Sequence, residues 1–164
     1  MIKPNKDKRM MHINLFMFGC GHHKAAWRHP NSSVEHLGDI RYYEQLAQTA
    51  ERGKFDAVFF ADGQSVGNIS DGSRWFLEPL TSLAAMSRAT SKIGLISTIS
   101  STFYTPFHAA RMLASLDHIS GGRMGWNLVT SMFDDEARNH NYAAMPAHAE
   151  RYRRADEFAD TVLK

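Results

Sequence analysis

The sequence predicts an α/β fold in which helices pack outside a parallel sheet, and three observations carry that expectation. Short apolar runs recur at "MHINLFMF" (11–18), "DAVFFAD" (56–62), "IGLISTIS" (93–100) and "RMGWNLVTSM" (123–132). Helix starts and stops punctuate the stretches between them. Each strand–helix unit takes about 30–40 residues, the length that a crossover between parallel strands requires.

The first run is apolar on both faces, as a buried parallel strand is. A Gly- and His-rich loop, "GCGHHKAAWRHPNSS", follows it. In "GDIRYYEQLAQTAERGKFD" Asp39 can cap a helix, Ile40, Tyr43, Leu46, Ala47 and Ala50 fall on one face, and Gly53 can end it. The second strand is 56–62, and a helix around 79–89 leads to the third strand at 93–100. In "TPFHAARMLASLDHISGGR" Thr105 is the expected N-cap, Pro106 the first helical residue and Gly121–Gly122 the stop. The fourth strand follows at 123–132. "FDDEARNHNYAAMPA" reads as a long polar loop, and "HAERYRRADEFADTVLK" as a helix running to the last residue. No Pro-, Gly- or Ser-rich linker divides the chain. The reading is therefore one domain over 11–164, preceded by a basic flexible tail over 1–10.

With 164 residues, 43% of them hydrophobic, the chain can bury a real core. Its net charge is only +2, with part of the basic excess in "MIKPNKDKRM" and the rest scattered, which argues against a nucleic-acid partner. One cysteine, Cys20, excludes an internal disulfide and a multi-cysteine metal centre, and fits a reducing cytoplasm. The apolar run "INLFMFGC" is too short for a secretory signal, and no stretch approaches the roughly 20 apolar residues of a membrane span. A cytoplasmic protein with no membrane partner is the expectation.

Polar side chains gather at the strand ends. Side chains alternate along a strand. Val58 and Phe60 then share a face with Asp62, Gly94 and Ile96 lead to Thr98 and Ser100, and Gly125 leads to Asn127, Val129 and Ser131. Buried polar groups cost roughly 1–3 kcal/mol each unless they find partners. Ligands of parallel α/β proteins bind at the carboxyl ends of the strands. Gly94 and Gly125, beneath the polar residues, would leave room for something flat. Against this, strand ends lie near loops and are often polar for that reason alone.

The loop after the first strand adds His22, His23, Trp27, Arg28 and His29. Its histidines lack metal-ligand spacing, so a polar, aromatic loop over the mouth of the sheet is expected rather than a metal centre. His148 and Tyr152, four apart, share a face at the first turn of the last helix, where backbone N–H groups favour anions. No GxGxxG, GxxxxGK[ST] or GxSxG motif occurs, and Ser131 has no His–acid pair to activate it.

"GHHKAAWRHP", "FDAVFFAD", "IGLISTISSTFYTPFHAARMLASLDHISGGRMGWNLVTS" and "HAERYRRADEF" resemble the N-terminal part of the two-component flavin-dependent monooxygenases. The group is that of the nitrilotriacetate and dibenzothiophene-sulfone monooxygenases, within the bacterial-luciferase-like superfamily. The resemblance runs from Met11 onward. It implies a (β/α)8 TIM-type barrel, of which this chain, with about four parallel strands and outer helices, reads as the N-terminal half. It implies reduced FMN supplied by a separate NADH:FMN reductase, and dioxygen as co-substrate. A C4a-peroxyflavin would oxygenate a small organic substrate. Asp62, Thr98, Asn127, His148 and Tyr152 fall on flavin-contacting positions, and Asn127 would face the flavin while Thr130 and Ser131 tie down the strand end. His22 or His23 could act near the peroxide, but no catalytic acid or base is assigned. Four strands leave two open sheet edges, so self-association into a homo-oligomer is expected. The alternatives are an inactive truncated fragment or interaction module, and a deazaflavin-using luciferase-like oxidoreductase, which "WNLVTS" and "HAERY" match less well.

Overall fold

In the computed structural model, which describes residues 10–23, 25–67 and 77–164, four strands form one parallel sheet. They are β1 (Asn14–Phe16), β2 (Ala57–Phe59), β3 (Gly94–Ser100) and β4 (Met124–Val129), and their spatial order is their chain order. Helices α1 (Ile40–Arg52), α2 (Pro79–Ala89) and α3 (Pro106–Ser120) make the crossovers, and α5 (His148–Val162) follows β4. This is the architecture of the N-terminal half of a (β/α)8 barrel. The tail expected over 1–10 lies, apart from Met10, outside the described residues. No helix among the described residues is long and apolar enough to cross a membrane.

β1 and β2 are shorter than the apolar runs that contain them. Pairing nevertheless continues past their ends, with Asp56 N donating to Ile13 O (2.9 Å) and Met17 N to Phe59 O (2.8 Å). The Asp56 carboxylate also takes the Ile13 N–H (2.7 Å) and so pins the start of β1 to β2.

The sheet has one dry face. Val58, Leu95 and Ile99 are buried beneath Tyr43 and Ala47 of α1, Leu83 and Met86 of α2, Leu113 of α3 and Phe158 of α5. Each fully buried side chain of this size contributes roughly 1.5–3 kcal/mol. On the other, inward face the register aligns Phe59 with Ile96 and Gly125, and Thr98 with Asn127. Two expectations fail on this face. The register puts Ala57 and Phe59, not Val58 and Phe60, on the side of Thr98 and Asn127, so β2 is turned by one residue relative to the sequence reading. The glycines do not leave open space either. A Cβ on Gly125 would meet Ile96 Cγ1 at 2.8 Å, and one on Gly94 would meet the Ala57 Cβ at 3.0 Å. Neighbouring side chains fill these gaps, as they fill a barrel interior.

Helix ends follow the expected chemistry except at the start of α3. Asp39 accepts from Arg41 N (3.0 Å) at the start of α1, and Gly121 ends α3 in the left-handed conformation (φ 72°) that glycine adopts without strain. Thr105 holds the N-cap position of α3, yet its hydroxyl pairs with His108 Nδ1 (2.9 Å) rather than with a backbone N–H. Within the stretch read as a polar loop lies a short helix, α4 (Asp134–Asn139), with three acidic residues in its first turn.

Arg123 clasps the outer layer. Its guanidinium donates to Ser120 O (2.7 Å), Ser87 O (2.8 Å) and Ile93 O (2.9 Å), joining the ends of α2 and α3 to the starts of β3 and β4. Arg123→Ala should therefore lower stability by about 2–4 kcal/mol in urea denaturation, because several half-buried acceptors lose a charged donor together. Among the described residues no strand pairs with the outer edge of β1 or of β4, and all six residues of β4 are half-buried. The 164-residue chain prepared alone should accordingly associate in light scattering, and a monodisperse monomer would show that these edges are covered.

Candidate functional site

The carboxyl ends of β3 and β4 are laced together by the polar residues that the sequence singled out. Thr98 donates its hydroxyl proton to Phe60 O (2.7 Å), so its oxygen can only accept from Asn127, whose Nδ2 lies 2.9 Å away. This fixes the orientation of the Asn127 amide. Ser131 Oγ donates to Ser100 Oγ (2.9 Å), and Thr102 Oγ1 donates to Thr130 O (2.7 Å). Thr130 thus holds the strand end through its backbone and Ser131 through its side chain. Ser131 itself is left-handed (φ 55°), a conformation costly for serine unless its surroundings hold it. Its carbonyl accepts from the Arg151 guanidinium, which brings the first turn of α5 to the end of β4.

Beside this lacing lies a cavity of about 730 Å³, within the usual range of small-molecule and cofactor sites. The loop after β1 supplies Phe18, His22, His23 and Trp27, the loop after β2 supplies Asp62 and Gln64, and Tyr104 follows β3. The loop expected over the mouth is therefore in place, with Arg28 stacked on Trp27 at 4.8 Å. Asp62 is half-buried in the cavity wall. Burial pushes its carboxyl up to about 6, and the nearby charges of Glu78 and Glu136 add to the rise, while the Gly63 N–H and the Gln64 amide oppose it. Burial, then Asp62 and Glu78, likewise raise the Tyr104 hydroxyl.

The five expected site residues fall into three groups. Thr98 and Asn127 are bonded to each other, and Asp62 lies in the cavity, two residues beyond the carbonyl of Phe60 that Thr98 holds. His148 and Tyr152 pack ring on ring at 4.6 Å on the first turn of α5, with Tyr152 53% exposed. Neither of these two, nor Thr98 or Asn127, lines the cavity.

The sequence reading missed the part of the site that α4 builds. Glu136, 4% exposed, accepts from the backbone N–H groups of Gln64, Met132 and Phe133, each at 3.1 Å. His140 stacks on Phe103 at 4.3 Å with the rings 8° from parallel. The signal was present in "FDDEARN": acidic residues in a first turn with an arginine near the end are a helix pattern.

A fold of this kind, with polar groups and a cavity at the carboxyl ends of its strands, is that of a partial (β/α)8 barrel. Residues 15–164 match the family model described as luciferase-like monooxygenase, and the chain belongs to that family. It is 44% identical over 156 residues to N-acetyl-S-(2-succino)cysteine monooxygenase of Bacillus subtilis, covering 94% of this chain and 35% of the relative. It is 43% identical to dibenzothiophene-sulfone monooxygenase of Rhodococcus erythropolis (96% and 38% covered) and 38% identical to nitrilotriacetate monooxygenase component A of Aminobacter aminovorans (95% and 37%). Among solved structures, EDTA monooxygenase from Chelativorans matches with a TM-score of 0.88 at 32% identity (94% and 38% covered). Riboflavin lyase, solved with a modified FMN and riboflavin, matches with a TM-score of 0.83, also at 32% identity (94% and 37%). The chain spans 35–38% of the length of these curated relatives.

Asp62 ionises near 3.8 in an unfolded chain and near 6 in the fold, so the folded state holds this proton more tightly between those values. The stability it contributes is complete below the lower value and lost as pH rises through the upper one. Asp62→Asn should flatten the fall in stability between about pH 4 and pH 6 seen in urea denaturation. An unchanged slope would assign that fall to other groups.

Proposed function

We propose that the chain carries flavin-holding residues of an oxygenase component that uses reduced FMN and dioxygen to oxygenate a small organic substrate. One oxygen atom would enter the substrate and the other would leave as water, with the two further electrons supplied by the reduced flavin. The observation that carries this reading is the placement of Asp62 in the wall of a cofactor-sized cavity, two residues beyond the Phe60 carbonyl that Thr98 holds. Similar proteins support it: riboflavin lyase was solved with a modified FMN, and an FMNH2-dependent dimethylsulfone monooxygenase of Pseudomonas putida is 35% identical over 120 residues.

The residues present fit such a group. Aromatic and aliphatic walls at Phe18, Trp27 and Leu37 suit a flat ring, and Asp62 with Gln64 offers polar contacts at its edge. Outside the cavity lining, Asn127, its amide fixed by Thr98, would offer a further preset polar group at the end of β4. His148 and Tyr152 stand at a helix start, where an anionic phosphate is favoured. Reduced FMN, when bound, supplies the oxygen activation, and the protein holds it and excludes water. The loop bearing His22, His23 and Trp27 closes the cavity on its outer side.

Two-component chemistry is part of the proposal. The flavin would arrive reduced from an NADH:FMN reductase by diffusion, in the cytoplasm, and the oxygenase would work as a homo-oligomer. A relative named as component A of its monooxygenase supports this division of labour.

Anaerobic calorimetric titration of the full-length protein with reduced FMN tests the reading. Saturable micromolar binding is expected, weakened about tenfold by Asn127→Ala or Asp62→Ala through loss of one hydrogen-bonding group each. A folded protein that binds no reduced FMN would overturn it.

A further inference from the structure

Gln64 spends all four of its polar groups within the site. Its backbone N–H donates to Glu136 Oε1 (3.1 Å), and its carbonyl accepts from Asn139 Nδ2 (2.9 Å). Its side-chain Nε2 donates to Asp62 Oδ2 (2.5 Å), and its Oε1 pairs with His140 Nε2 (3.2 Å). The division matters. The backbone pair alone bolts the loop after β2 to α4, so the side-chain amide is not needed for that purpose.

Chemistry fixes the direction of the side-chain relay. An ionised carboxylate only accepts, so Gln64 must turn its NH2 toward Asp62 and its oxygen toward His140. His140 must then donate from Nε2. Its ring is held flat against Phe103, from the loop after β3. Three loops thus converge on one carboxyl group in the cavity wall.

We propose that Gln64 and His140 are positioning residues that hold the Asp62 carboxyl in one orientation at the cavity and set how readily it ionises. The other titratable groups facing Asp62 are Glu78 before α2, Glu136 of α4 and Tyr104 after β3, with His22 and His23 on the opposite cavity wall. The carboxylates and the tyrosine belong to the backbone scaffold or to other loops and stay in place when the relay is cut. Removing a donor to the carboxylate disfavours its charged form, so the relay opposes the effect of burial. What the carboxyl meets in the cavity rests on the flavin reading, whereas its own ionisation does not.

The test is a carbon-13 NMR titration of the Asp62 carboxyl in the full-length protein, assigned by its loss in Asp62→Asn, alongside reduced-FMN affinity in the same samples. Gln64→Leu should move the midpoint upward from about 6 by about half a pH unit or more. His140→Phe keeps the stack on Phe103 but lacks the donor, and should move it the same way by less. His140→Gln, which restores an N–H donor, should return it toward the wild-type position. A merely structural role for His140 would give equal midpoints in its two variants. Midpoints unmoved in Gln64→Leu and His140→Phe would overturn the proposal, and if Gln64→Leu fails to fold, the two His140 variants decide it. Shifted midpoints in a protein that binds no reduced FMN would uphold the relay and sink the flavin reading. Binding with unmoved midpoints would do the reverse.

Discussion

A slip of one residue between β3 and β4 would dismantle the site. Side chains on a strand alternate, so such a slip would send Asn127 to the helix side and bring Trp126 or Leu128 inward. The register that sets Asn127 against Thr98 is held from both ends. At the amino end Arg123 ties the strand starts to α2 and α3. At the carboxyl end the Ser131–Ser100 and Thr130–Thr102 bonds close the pair. Between them, Leu95 and Ile99 are committed to the dry face, where any slip would expose them. The functional geometry is a by-product of hydrophobic burial on the opposite side of the sheet.

Three carboxylates stand close together at the mouth, and the fold handles each differently. Glu136 is buried and spends its charge on three backbone N–H groups. Glu78 caps α2, accepting from Leu80 N (2.9 Å) and Thr81 N (2.7 Å) at the positive end of the helix. Asp62 is half-buried and faces the other two charges, and burial together with Glu78 and Glu136 pushes its carboxyl up to about 6. Perturbed groups of this kind collect where a ligand is to be met.

The strand–helix repeat, the Asp39 and Gly121 helix ends and the clustering of polar groups at the strand ends were legible because each rests on local chemistry. So was the placement of Asn127 on one face near the carboxyl end of β4, since alternation carries the pattern along a single strand. What escaped was relational. The inward face of β2 depends on its pairing with β3, and alternation within "DAVFFAD" cannot reveal it. The space under Thr98 and Asn127 depends on where Ile96 and Ala57 point, not on the glycines that face them. Glu136, Gln64 and His140 meet across more than seventy residues of chain, and only the assembled sheet brings them together.

Gln64, held by Glu136, Asn139 and His140, stands on one side of the cavity, and the loop after β1 forms the other. That second side hangs from the outermost strand, β1, and turns through Gly19 and Gly21 at positive φ. Gln64 is tied by four hydrogen bonds, and the loop after β1 is tied to α1 by the Tyr42 hydroxyl on Gly19 O (3.2 Å). Opening on the β1 side is therefore expected to cost less. A ligand seated between them gains contacts on both walls but must order only one. Its affinity is thus reduced by the conformational entropy of the β1 loop, while the polar contacts that orient it come from a wall that was already fixed.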